Sequence, residues 1–122
     1  MANIRMSRIN SEIQKAIAEI VMERMNNPEF EGLIISFIDV DTAADLSSAK
    51  VAVSVLADDD TKSAVVSTLN RSKSFIRKEL MKEVRLRIMP DLHFYIDNSY
   101  EKGQHLMDLI DKVSGEGHDD QN

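Results

Sequence analysis

From Ser7 to Met25 apolar residues recur every three or four positions. Ile9, Ile13, Ala16, Ile17, Ile20 and Val21 share a face, while Glu12, Lys15, Glu19 and Glu23 fall elsewhere. That period predicts an amphipathic helix, ended by Asn26-Asn27-Pro28. After Gly32 the run from Leu33 to Asp41 has the length and β-rich composition of a strand. Alternation is cleaner further on: Ala49, Val51, Val53 and Val55 share one face, and Lys50, Ala52 and Ser54 the other. The connector from Asp41 to Ser47 has turn chemistry, so the two strands form an antiparallel hairpin with a longer loop.

Asp58-Asp59-Asp60-Thr61 places negative charge and N-cap residues before a second helical pattern. There Val65, Leu69, Ser72, Ile76, Leu80 and Val84 step by three or four. Pro90 ends the region, and Leu92, Phe94 and Ile96 alternate with His93, Tyr95 and Asp97 in a third strand. Asn98-Ser99 caps a last short helix carrying Leu106, Met107, Leu109, Ile110 and Val113. Three strands cannot close a barrel, so helices must cover their apolar face, which predicts an α+β two-layer domain. The helical crossover between the last two strands makes them parallel and right-handed, giving a mixed three-stranded sheet. Residues 1–113 form the single domain, and the polar residues 114–122 a disordered tail.

Treated as one ideal helix at about 100° per residue, residues 65–85 place Arg71, Lys78, Lys82 and Arg85 within an arc of about 60°. Val65, Leu69, Ile76 and Leu80 lie opposite. A straight helix would also put Lys73 among the apolar residues and Phe75 among the basic ones. Both misfits sit at Ser72-Lys73-Ser74, where serines can bond back to the preceding turn, so a kink is expected there. Phe75 is the one nearby aromatic able to stack on a base, and is assigned instead to the core.

Composition sharpens the reading of that stripe. The chain has 122 residues and a net charge of −6, a balance that ordinarily argues against nucleic acid. Yet residues 71–90 carry seven Lys and Arg against two carboxylates. One cationic segment in an acidic protein points to a localised anionic contact, because each Lys or Arg can neutralise a backbone phosphate and release counterions. Arg5 and Arg8 on the first helix and Arg87 beyond the basic helix are further candidates. Lys73 and Arg77, in the same basic segment, complete the set.

Signals for chemistry are sparse. There is no cysteine, which removes disulfides, thiolate zinc sites and a cysteine nucleophile. His93, His105 and His118 have no partner at ligand spacing, so no metal or other cofactor is expected. Asp58–Asp60 reads as helix capping rather than a calcium loop, and Asp39, Asp41 and Asp45 as a turn. No phosphate loop, dinucleotide fingerprint or nucleophile elbow is present, so no enzyme is expected. The chain shows no membrane-spanning run and no secretory signal, which suits the cytoplasm. A protein–protein module working through acidic faces is the alternative to RNA binding.

The ordered motifs resemble bacterial ribosome-binding factor A over residues 4–111. They comprise Arg5-Met-Ser-Arg8-Ile9, Val40, Asp45-Leu46, Ala49-Lys50-Val51 and Val53-Ser54-Val55-Leu56. They continue through Leu69-Asn70, Phe75-Ile76-Arg77, Leu86-Arg87, Pro90-Asp91-Leu92-His93-Phe94 and Asp97-Asn-Ser99-Tyr-Glu101-Lys-Gly103. The resemblance implies a type II KH-like fold of order α-β-β-α-kink-α-β, in which a helix–kink–helix with an Ala-x-Gly motif replaces the glycine loop. Here Ser72-Lys73-Ser74 stands in that place. It further implies a monomeric assembly factor that binds the free small (30S) ribosomal subunit, assists late maturation of 16S ribosomal RNA, matters most in the cold, and is linked to an assembly GTPase. Gly32, Gly103, Gly115 and Gly117 all lie outside any GxxG loop, which argues for reading the shape and phosphates of a folded RNA.

Overall fold

The computed structural model describes residues 4–98. Helix α1 (Ile4–Glu19) continues as a wider π-type turn over Ile20–Arg24, closed by the Met25 N–H on the Ile20 carbonyl at 2.9 Å. Asn26 then takes a positive φ of 48°, a conformation asparagine tolerates better than most residues. The Asn27 side chain accepts the Glu29 N–H at 2.8 Å and opens a single 3-10 turn, Pro28–Phe30. Strands β1 (Ile35–Thr42) and β2 (Ser48–Val55) pair antiparallel, and β3 (Asp91–Ile96) pairs parallel to β2, in the order β1-β2-β3. Helices α2 (Asp59–Arg71) and α3 (Lys73–Glu83) form the crossover. The expected last helix and the tail lie outside the described residues.

The core lies between the sheet and the three helices. Ile13 and Ile17 from α1, Ile20 from the π-type turn, Leu69 from α2, and Ile76 and Leu80 from α3 are fully buried against Val51, Val53, Leu92 and Phe94. Phe37 and Phe94 meet edge to face across the sheet, with centroids 6.3 Å apart, the arrangement aromatic quadrupoles favour. In β1 the inward alternation slips at a bulge between Phe37 and Asp39, so that Ile35 and Phe37 face in, then Val40 and Thr42. On the outer face Ala52 is also buried, being the small residue of the central strand between Asp39 and Tyr95.

Both sheet edges are held by amide side chains from the helices. Gln14 and Asn10, one turn apart on α1, serve β1: Gln14 Nε2 donates to the Phe37 carbonyl at 2.7 Å, and Asn10 Oδ1 accepts the Thr42 N–H at 3.1 Å. Edge backbone groups are thereby denied to other chains. A third element locks α1 to α3. Arg24 donates to Glu79 at 3.2 Å, to Glu19 at 3.3 Å and to Glu83.

The helix break falls at Ser72, whose backbone (φ −96°, ψ 7°) leaves the helical range for one residue. Its N–H forks to the Thr68 and Leu69 carbonyls at 2.9 and 3.1 Å, while its own carbonyl accepts the Ile76 N–H at 3.0 Å. The hydrogen-bond ladder therefore bends without parting. Contrary to the expected cause, the Ser72 side chain caps neither helix, and Ser74 sits within the first turn of α3. Phe75 also departs from expectation: it is 40% exposed, because Ile76 and Leu80 define the inward face of α3.

Candidate nucleic-acid interface

The basic residues divide into three groups by what holds them. Helix α3 ends at Glu83 and Val84 is already extended (φ −118°, ψ 127°), so Arg85 leaves the helix. The single stripe running from Arg71 to Arg85 is therefore corrected by the kink at one end and the helix terminus at the other.

The first group is absorbed by the fold. Arg71 donates to Ser67 Oγ at 2.8 Å and Thr68 Oγ1 at 3.1 Å. Lys73 faces Asp91 at 3.6 Å, which explains how a lysine occupies the inner side of α3. Arg77 donates to the Met89 carbonyl at 2.9 Å, and its buried Nε has no hydrogen-bond partner. Lys73 and Arg77 thereby hold the start of β3 and the loop before it, whereas Arg71 is bonded within α2 and stays exposed.

The second group is a ridge on α3. At about 100° per residue, Phe75, Lys78 and Lys82 occupy an arc of about 60° on its outer side, and all three are exposed. Lys82 also bonds Glu79 at 3.0 Å. That bond, then the one from Arg24, holds the Glu79 carboxyl below the usual carboxylate range.

The third group forms a cleft. Arg5 and Arg8 from the first turns of α1 meet Arg85 and Arg87 from the α3–β3 loop around a cavity of about 560 Å³. Its walls include Ile9, Leu46, Leu86 and Ile88. All four arginines are exposed, and Arg8 makes only a surface pair with Glu12 at 3.3 Å, which is worth little in water. The β1–β2 loop brings Asp45 to the same cleft. The Ser47 hydroxyl at 2.6 Å and N–H at 3.0 Å hold its carboxyl below the usual range, so it stands as an anion among cations.

Sequence reasoning named all four arginines but missed their convergence, along with Asp45 and the apolar wall. One signal was available: α1 has no acidic residue in its first turn, and Arg5 and Arg8 sit where a helix N-terminus favours negative charge. Among the described residues no group of three or more His, Asp or Glu could hold a metal ion. No helix among them is long and apolar enough to cross a membrane.

A family model described as ribosome-binding factor A matches residues 5–110. Ribosome-binding factor A of Clostridium acetobutylicum is 40% identical over 120 residues, covering 98% of each chain. That of Finegoldia magna is 34% identical over 116 residues, covering 95% of this chain and 96% of the other. The solution structure of a Thermotoga maritima protein described as a putative ribosome binding factor A superposes with a TM-score of 0.66 at 30% identity, over 78% of this chain and 89% of that one. Coordinates of Thermus thermophilus ribosome binding factor A, fitted into a cryo-EM map of its complex with 30S, share the fold with a TM-score of 0.60 at 20% identity, over 73% of this chain and 91% of that one.

Proposed function

Since the chain belongs to the ribosome-binding factor A family, we propose that it is a non-enzymatic assembly factor that binds the free small ribosomal subunit and assists late maturation of 16S ribosomal RNA. The observation that carries the RNA contact is the convergence of Arg5 and Arg8 with Arg85 and Arg87 on one surface. Four arginines from two distant parts of the chain there outnumber two carboxylates, Glu12 and Asp45, and a phosphate backbone rewards such a cationic excess. Lys78 and Lys82 on α3 extend the cationic path. A relative in this fold is described in complex with 30S, which supports the choice of subunit. The carboxylates Glu19, Glu79 and Glu83 are taken up by Arg24, so the acidic-face alternative loses part of its surface.

The mechanism is occupancy. Phosphate contacts hold an immature RNA conformation until a later factor, linked to an assembly GTPase, displaces the protein. It acts as a cytoplasmic monomer, and the demand for it is greatest in the cold, when misfolded RNA escapes slowly. Sedimentation of the purified full chain with small and large subunits, each across a salt series, tests this. Salt-sensitive co-sedimentation with the small subunit alone is the expected result. Equal binding to both subunits, or to neither, would overturn the reading.

A further inference from the structure

We propose that the arginine cleft seats one unstacked nucleotide of the bound RNA, with its phosphate among the arginines and its base against the apolar wall. This rests on the RNA-binding reading above and adds what part of the RNA is read.

A surface that only follows duplex phosphates needs cations on an open face. This cleft is concave, about 560 Å³ in volume, within the range of small-ligand sites and too small for a duplex. It also joins two chemistries. Arg5, Arg8, Arg85 and Arg87 supply charge, while Ile9, Leu46 and Leu86 are half-buried beside them, with Ile9 and Leu86 packed onto the core. Duplex RNA would leave that apolar wall unused, because its bases are stacked inside. An extruded base covers it, and guanidinium planes stack on bases as aromatic rings do.

Two further features point to the same ligand. Asp45 would repel a phosphate, yet a carboxylate is the acceptor that an exocyclic amine of a base requires. Leu46 holds a positive φ of 63°, where a residue with a Cβ is disfavoured. Its N–H donates to the Ala43 carbonyl at 2.8 Å, and the strained turn delivers a leucine to the cleft. Glycine or asparagine would close such a turn with less strain, so the fold bears a cost to present a leucine here.

The test uses the full chain and three RNA hairpins: one with a single bulged nucleotide, one with an abasic bulge, and one fully paired. Affinities are measured by fluorescence anisotropy at two salt concentrations. The protein should prefer the nucleotide bulge by roughly tenfold, as expected for one stacked base. Leu46→Asn, which suits the positive φ and so spares the fold, should erase that preference while leaving paired-hairpin affinity and salt dependence intact. Arg85→Gln with Arg87→Gln should weaken binding to all three hairpins. Equal wild-type affinity for bulged and paired RNA would overturn the proposal and leave RNA binding standing. So would a preference that survives Leu46→Asn. Failure to bind any hairpin would overturn both.

Discussion

Asn70 and Phe94 exchange two hydrogen bonds: Asn70 Nδ2 donates to the Phe94 carbonyl at 3.0 Å, and the Phe94 N–H donates to Asn70 Oδ1 at 2.9 Å. One amide side chain thus copies the pairing of a neighbouring strand at the open edge of β3. It also fixes the last turn of α2 to the sheet, two residues before the backbone bends at Ser72. The kink and the sheet are coupled through this side chain.

Replacing Asn70 with alanine strands both Phe94 backbone groups in a partly buried setting. A cost of about 1–3 kcal/mol is expected from unsatisfied partners. Urea unfolding should show a lower midpoint at an unchanged m-value, since the surface exposed on unfolding is the same. A loss under about 0.3 kcal/mol would mean that water replaces the amide fully.

The serines at the kink should matter less than their position suggests. The bend rests on Asn70, on Lys73 facing Asp91, and on Arg77 holding the Met89 carbonyl, not on a hydroxyl cap. Ser72→Ala with Ser74→Ala should therefore retain the kink and small-subunit affinity. Stability should rise by roughly 0.5 kcal/mol from helix propensity. Straightening, seen as a lost Asn70–Phe94 contact in NMR spectra, would return the cause to the serines.

These contrasts show which features local sequence can carry. Helix α1 and strands β2 and β3 were legible because burial imposes its period directly on residues such as Ile13, Val51 and Phe94. The bulge at Ile38 was not, since it depends on β1 fitting against α1, where Gln14 meets the Phe37 carbonyl. Lys73 and Arg77 looked like RNA contacts because they are cations in a basic segment. Only the fold shows that Lys73 also faces Asp91 at the start of β3 and that Arg77 also holds the Met89 carbonyl. The cleft is the extreme case. Arg5 and Arg87 become neighbours through topology, and no window along the chain contains both.

Charge reversal separates the two cationic surfaces. Arg85→Glu with Arg87→Glu should abolish most small-subunit binding at moderate salt. The dependence of log affinity on log salt should fall by about 1.5, near the value for two phosphate contacts. Lys78→Glu with Lys82→Glu should give a smaller loss, because Lys82 already shares Glu79. Co-sedimentation across a salt series reads both. If only the lysine pair mattered, the RNA path would follow the α3 ridge and bypass the cleft.

Acid should loosen the helical layer through two carboxyls. Glu79 is held below its ordinary range by Lys82 and then Arg24, and Asp58 by its hydrogen bonds from Thr61 as the cap of α2. For a group whose folded pKa is depressed, the unfolded chain binds more protons as pH falls, so stability is lost between the ordinary pKa and the lower folded one. Both contributions are complete near neutral pH and disappear below the ordinary carboxylate range. Urea midpoints taken from pH 7 down to pH 3 should therefore fall in acid. Glu79→Gln should start lower at pH 7 and descend less steeply. A variant curve parallel to that of the wild type would show that Glu79 titrates alike in the folded and unfolded chains, and that Arg24 and Lys82 stabilise its ionised form no better than water does.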